Sequence, residues 1–106
     1  MWCPITYYEF YDVPRLFVVE WHGRFVAFDC PFDEDLGDYP PQYAVYSSPR
    51  LREVEVERAW LLRELAIKKP DGQVPVGAVV FDESRRQMMR DDVLWRLYQG
   101  SGTSHE

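Results

Sequence analysis

The sequence predicts an α+β domain: a mainly antiparallel sheet of about five strands, curled into a small, partly open barrel, with two helices. Three observations carry this prediction. Residues 15–30 read as two strands around a tight turn, which makes the sheet antiparallel at its centre. Further aromatic and β-branched runs flank that hairpin, each bounded by Pro, Gly, Asp or Ser. Helical spacing of apolar residues is confined to the second half of the chain.

In order along the chain, Ile5–Tyr11 is rich in aromatics suited to a strand, and Asp12-Val13-Pro14 turns it back. The hairpin follows, with His22-Gly23 as its two-residue turn. Pairing across that turn sets Trp21 opposite Arg24, Val19 opposite Val26 and Phe17 opposite Phe28. Glu20 then meets Phe25, and Val18 meets Ala27, on the other face. The first face is almost wholly apolar and belongs in the core. The second mixes charge with apolar groups, so it is covered by another element, by a partner, or only in part.

Pro31 ends the second hairpin strand, because proline cannot donate to a ladder. Residues 33–41 form an acidic loop closed by two prolines. Gln42–Ser47 reads as a strand with Tyr43 and Val45 on one face and Ala44 and Tyr46 on the other, broken by Ser47-Ser48-Pro49. Glu53–Glu57 alternates like a strand, but Leu61, Leu62 and Leu65 form a helical stripe, and Lys68-Lys69 suit a helix end. A helix is therefore expected over about 52–68. Pro70-Asp71-Gly72 stops it. Val74–Phe81 is expected as a last strand, apolar on both faces and therefore interior, with Pro75 tolerated only where no donor is needed. A terminal helix starts at Asp91 or Asp92 as N-cap, presents Val93, Leu94, Leu97 and Tyr98 on one face, and ends at Gly100. Residues 84–90 are expected as an earlier turn of that helix or a connecting loop, and residues 101–106 as a frayed polar tail.

At 106 residues the chain is expected to be one globular domain over residues 1–100. Hydrophobic residues make up 46% and aromatics 16% of it, a globular composition. The net charge of −6 argues against nucleic acid as a ligand, since phosphate contacts need clustered Lys and Arg. It favours a basic partner instead. Nothing approaches the ~18 apolar residues of a membrane span, and the start, Met1-Trp-Cys-Pro, has no basic or apolar signal-like run. A cytoplasmic protein with no membrane partner, and with Cys3 and Cys30 reduced, is the expectation.

Five carboxylates, Asp29, Asp33, Glu34, Asp35 and Asp38, cluster where residues 25–49 hold no basic side chain. Their spacing does not fit an EF-hand, and a solvated loop or a docking surface for a basic partner fits better. Cys3 and Cys30 form no CxxC motif, and with only His22 and His105 beside them they make no zinc site. Pairing of the two cysteines would require the first and third strands to be adjacent. His22 is explained by its turn position rather than by base catalysis, and Trp21 with Arg24 is expected as a cation–π pair at the hairpin tip. Tyr7, Tyr8, Tyr11, Tyr39, Tyr43 and Tyr46, joined by Phe10 and Phe32, lie in or beside strands. An aromatic surface ringed by carboxylates is a protein-binding composition. Arg85, Arg86, Arg90 and Arg96 form a basic counterpoint in which interspersed acids leave little support for a phosphate site.

These readings assign no catalytic residue, no metal ligand and no cofactor. The leading expectation is a non-enzymatic interaction domain, adaptor- or immunity-like in composition, with Tyr7, Tyr11, Trp21, Arg24, Asp33, Glu34, Asp35, Asp38, Tyr39 and Tyr43 as its surface. The second is a structural protomer whose open face is closed by self-association into a homodimer. The third is a small-molecule-binding or enzymatic domain using His22 with Glu20 or Asp29.

Overall fold

The hairpin turn is built as its residues require. His22 and Gly23 both take positive φ, 50° and 76°, as a type I′ turn demands. The computed structural model describes residues 1–48, 67, 69–82 and 87–99. The strands are β1 (Trp2–Tyr11), β2 (Val13–Trp21), β3 (Arg24–Asp29), β4 (Gln42–Ser48), β5 (Gly72–Pro75) and β6 (Met88–Arg90). They form one antiparallel sheet in the order β5-β4-β3-β2-β1-β6, curled into a half-barrel. A short helix α1 (Asp92–Leu94) widens into a π-helical turn over Trp95–Gln99. No helix among the described residues is long and apolar enough to cross a membrane.

The β2–β3 register is the one that the turn imposes: Trp21 opposite Arg24, Val19 opposite Val26, Phe17 opposite Phe28. Because side chains alternate, this places Phe17, Val19, Trp21, Val26 and Phe28 on one face, and all five are buried in the main core. Phe17 stacks on Phe28 with ring centroids 4.7 Å apart. Tyr43 from β4 meets both rings edge-on. Cys3, Ile5, Cys30, Val45, Val74, Val79, Met89, Val93 and Leu94 complete this core. The outer face carries a smaller cluster, Leu16, Val18, Ala27 and Tyr46, with Tyr8, Phe25 and Ala44 against it. Glu20 on that face stays exposed, so the mixed face is partly covered.

Three expectations change. The segment from Val74 is not an interior strand through Phe81: β5 is short and lies at the sheet edge, followed by a 3₁₀ turn over Val76–Ala78. The Val76 N–H bonds the Pro41 carbonyl in register with the Gln42–Pro75 pair, but Pro41 has no N–H to return, so the ladder stops there. Residues 88–90 are neither helix nor loop but β6, which sets Cys3 opposite Met89 and extends β1 back to Trp2. Only Met89 of these three is buried, too short an alternation to read from sequence. The sheet thus has six strands, with one short helix among the described residues. The helix expected over 52–68, Gly100 and the tail lie outside the described residues.

Asp91 occupies the N-cap position of α1, but its carboxylate does not cap the helix. It turns inward instead. Oδ2 accepts the indole N–H of Trp21 at 3.2 Å and of Trp95 at 2.9 Å, and Oδ1 accepts the Met1 ammonium at 3.1 Å. Asp91 is the buried charged residue of the described core, 2% exposed. Burial alone would push its carboxyl up, but the bonds from Met1, Trp21 and Trp95 together with the Met1 charge outweigh burial and hold it below the usual range. One carboxylate thereby ties the hairpin tip, the start of β1 and α1 together.

Two outcomes follow for stability. At Gly23 nothing lies within 4 Å of an added Cβ, so Gly23→Ala costs only backbone strain. Urea denaturation should show a loss of about 1 kcal/mol, most of it recovered in Gly23→Asn. Asp91→Ala leaves the buried Trp21 N–H without its acceptor and should cost about 1–3 kcal/mol. Because the Asp91 carboxyl is depressed in the fold, its contribution is complete well above its ordinary value of 3.8 and is lost as pH falls through the lower, folded value. The acid limb of a stability–pH profile should therefore flatten in Asp91→Asn.

Candidate functional site

At the end of the sheet away from the hairpin tip, β1 runs into β2 and β3 runs into the acidic loop. Arg15 joins these two regions. Its place in β2 shares the inward parity of Phe17 and Val19, so a cation at the end of an apolar face must find partners there. The Arg15 guanidinium lies 4.2 Å from the centre of the Tyr39 ring. Nε donates to the Tyr11 carbonyl at 3.0 Å, and Nη1 reaches Cys30 Sγ at 3.6 Å. Around this cation Tyr39 contacts Tyr11 with centroids 5.4 Å apart, and Phe32 edge-on at 5.3 Å. Tyr11 and Phe32 remain 59% and 52% exposed. Next along β1, Tyr7 and Phe10 form another exposed ring pair, 5.6 Å apart. Irregular register between Tyr7 and Phe10 interrupts the alternation there. A shallow depression of about 470 Å³ adjoins Tyr7, lined by Pro4, Ile5, Thr6, Gln87 and Met88.

The acidic loop is folded by two of its own carboxylates. Asp33 Oδ1 accepts the N–H groups of Asp35 and Leu36 at 3.0 and 3.2 Å, and Asp38 Oδ1 accepts that of Tyr39 at 2.7 Å. Gly37 supplies the positive φ, 72°, that the turn needs. Glu34, Asp35, Leu36 and Phe32 are exposed around it. No group of three or more His, Cys, Asp or Glu among the described residues is placed to hold a metal ion. Asp29 sits half-buried at the end of β3, its carboxyl pushed up by burial.

The structure brings Tyr11, Tyr39, Asp33, Glu34, Asp35 and Asp38 to one end of the sheet, sets Tyr7 partway along β1 opposite Phe17, and places the other expected surface residues elsewhere. Tyr43 is fully buried, donates its hydroxyl to the Pro14 carbonyl at 2.7 Å, and is held protonated by burial. Trp21 is buried at the opposite end. Its ring packs on Trp95 and Tyr98 rather than pairing with Arg24. The cation–π contact forms at Arg15 instead. His22 stands at the hairpin tip with its edge to Trp21 and Trp95, Glu20 points outward, and Asp29 lies at the far end of β3. These three are not assembled into one site. Arg15 and Leu36 were not singled out by sequence reasoning. The inward parity of Arg15 was the available signal. Comparison with protein-family models, curated proteins and solved structures finds no significant match for this chain.

Cys3 and Cys30 are free and buried, and β2 separates their strands, so no bridge joins them. Burial raises both thiols, more than the Arg15 contact lowers Cys30. A colorimetric disulfide reagent should therefore leave both unmodified in the native protein, and should label them in denaturant at the rate of unfolding.

Proposed function

We propose that this chain is a non-enzymatic protein-interaction domain that binds a basic partner, in the cytoplasm, through the aromatic end of its sheet and the adjoining acidic loop. The observation that carries the reading is the juxtaposition at Tyr39. A ring held in place by Arg15 supports two exposed rings, Tyr11 and Phe32, beside the exposed carboxylates of Glu34 and Asp35. Apolar rings contribute contact area, and the carboxylates orient and select a cationic partner. The net charge of −6 supports the same choice of partner.

Asp33 and Asp38 fold the loop, so charge reversal is informative at Glu34 and Asp35. A basic Lys/Arg peptide should bind the protein, and Glu34→Lys with Asp35→Lys should weaken it about tenfold, as two solvent-exposed ion pairs would. Tyr11→Ala with Phe32→Ala should weaken binding as well, with circular dichroism unchanged. If charge reversal acts and ring removal does not, attraction is merely electrostatic and the reading fails. Light scattering across a range of protein concentrations separates closure of the rings by a second copy, which would give a stable dimer.

A further inference from the structure

We propose that the hollow between β5 and the last helical turn binds a small monocarboxylate with a compact apolar tail. None of its residues belongs to the basic-partner site, so this inference stands apart from that reading.

The hollow exists because the sheet is not closed. A full barrel has no edge, whereas the half-barrel ends at β5. Beside that edge, where the helical segment packs on the core, lies a hollow of about 270 Å³. Val74, Ala78, Val93 and Leu97 give it apolar walls, and Gln73 and Arg96 bring its polar groups. At Gly72 an added Cβ would meet Leu97 Cδ1 at 2.5 Å, so the glycine lets Leu97 lie directly on β5 and form one wall. Apolar walls with few polar groups are the make-up of a small-molecule site.

Arg96 decides the class of ligand. Val93, Arg96 and Leu97 are spaced i, i+3, i+4 and share a helix face, which sets a cation beside the apolar walls. Asp92, four residues earlier, is the natural partner for Arg96, but its carboxylate lies 3.5 Å from Arg90 Nε instead. Among the described residues no ion pair or hydrogen bond takes up the exposed Arg96 guanidinium. A guanidinium bonds a carboxylate through two parallel N–H donors. A phosphate or a dicarboxylate asks for more positive charge than one Arg supplies in a chain of net charge −6. At the ~30 Å³ that a water-sized group occupies in a liquid, the hollow has room for about nine such groups, which suits an acid of about eight carbons. Burial of the tail drives binding, and Arg96 selects the head group.

The test is an NMR titration of the isotope-labelled full chain with octanoate and with octanol, which share a tail and differ in charge. Both should shift the amide signals of Val74, Ala78, Val93 and Leu97. Octanoate should bind about fivefold more tightly, the worth of one partly exposed ion pair. Arg96→Gln should abolish that preference and leave octanol binding unchanged. Ala78→Met, which fills the hollow, should weaken both probes, with circular dichroism unchanged. Equal binding of octanoate and octanol to the unaltered chain would overturn the carboxylate assignment. Shifts confined to other residues, or binding of neither probe, would overturn the site. If Ala78→Met loses its fold, Arg96→Gln, altered at an exposed residue, still decides.

Discussion

The register of the β2–β3 hairpin is the constraint from which the rest of the structure follows. Side chains in a strand alternate, so a slip of one residue would send Phe17, Val19, Val26 and Phe28 to the outer face and bring Glu20 inward. The turn at His22-Gly23 prevents that slip through two consecutive positive φ angles. With the register set, the stacked Phe17 and Phe28 rings form a platform that Tyr43 meets edge-on, and β4 is thereby oriented as well. The Tyr43 hydroxyl reaches back to the Pro14 carbonyl, so a polar tip that would otherwise be stranded in the core is satisfied.

Asp91 closes the other end. A buried carboxylate is tolerated only where donors replace water, and here two indoles and an ammonium do so. The arrangement has a directional consequence. It draws the last helix onto the hairpin tip, where His22, Trp21 and Trp95 pack against one another, and leaves the opposite end of the sheet uncapped by that helix. The two ends of the half-barrel thus differ. One is closed by a satisfied buried charge, and the other presents rings and carboxylates to solvent.

Arg15 gives that second end its order. A guanidinium bonded to a backbone carbonyl, stacked on Tyr39 and set against Cys30 has little freedom left, and it fixes the half-buried Tyr39 ring where it packs against the main core. Asp33 and Asp38 do the equivalent for the loop, because their oxygens take up backbone N–H groups. The loop therefore divides into acids that shape it and acids that face outward, Glu34 and Asp35, a division that composition alone does not disclose.

What was legible in the sequence was whatever depends on near neighbours along the chain. The turn at His22-Gly23, the pairing around it, the faces of Gln42–Ser47 and the apolar face of the last helix all follow from local periodicity and turn chemistry. The acidic loop and the wealth of tyrosines were equally plain. What only the tertiary structure decided depends on residues far apart in sequence. Met88–Arg90 is a strand because β1 offers it a partner, and three residues hold too little alternation to announce themselves. Val74 lies in a short edge strand rather than a long interior one because Pro41, which the Val76 N–H meets in register, has no N–H to return and the ladder ends there. Asp91 reads as a helix cap, yet the indoles that claim its carboxylate include one from a strand 70 residues away. Tyr11 and Tyr43 look alike in sequence, but one is exposed and the other sealed, because burial is a property of packing and not of residue type.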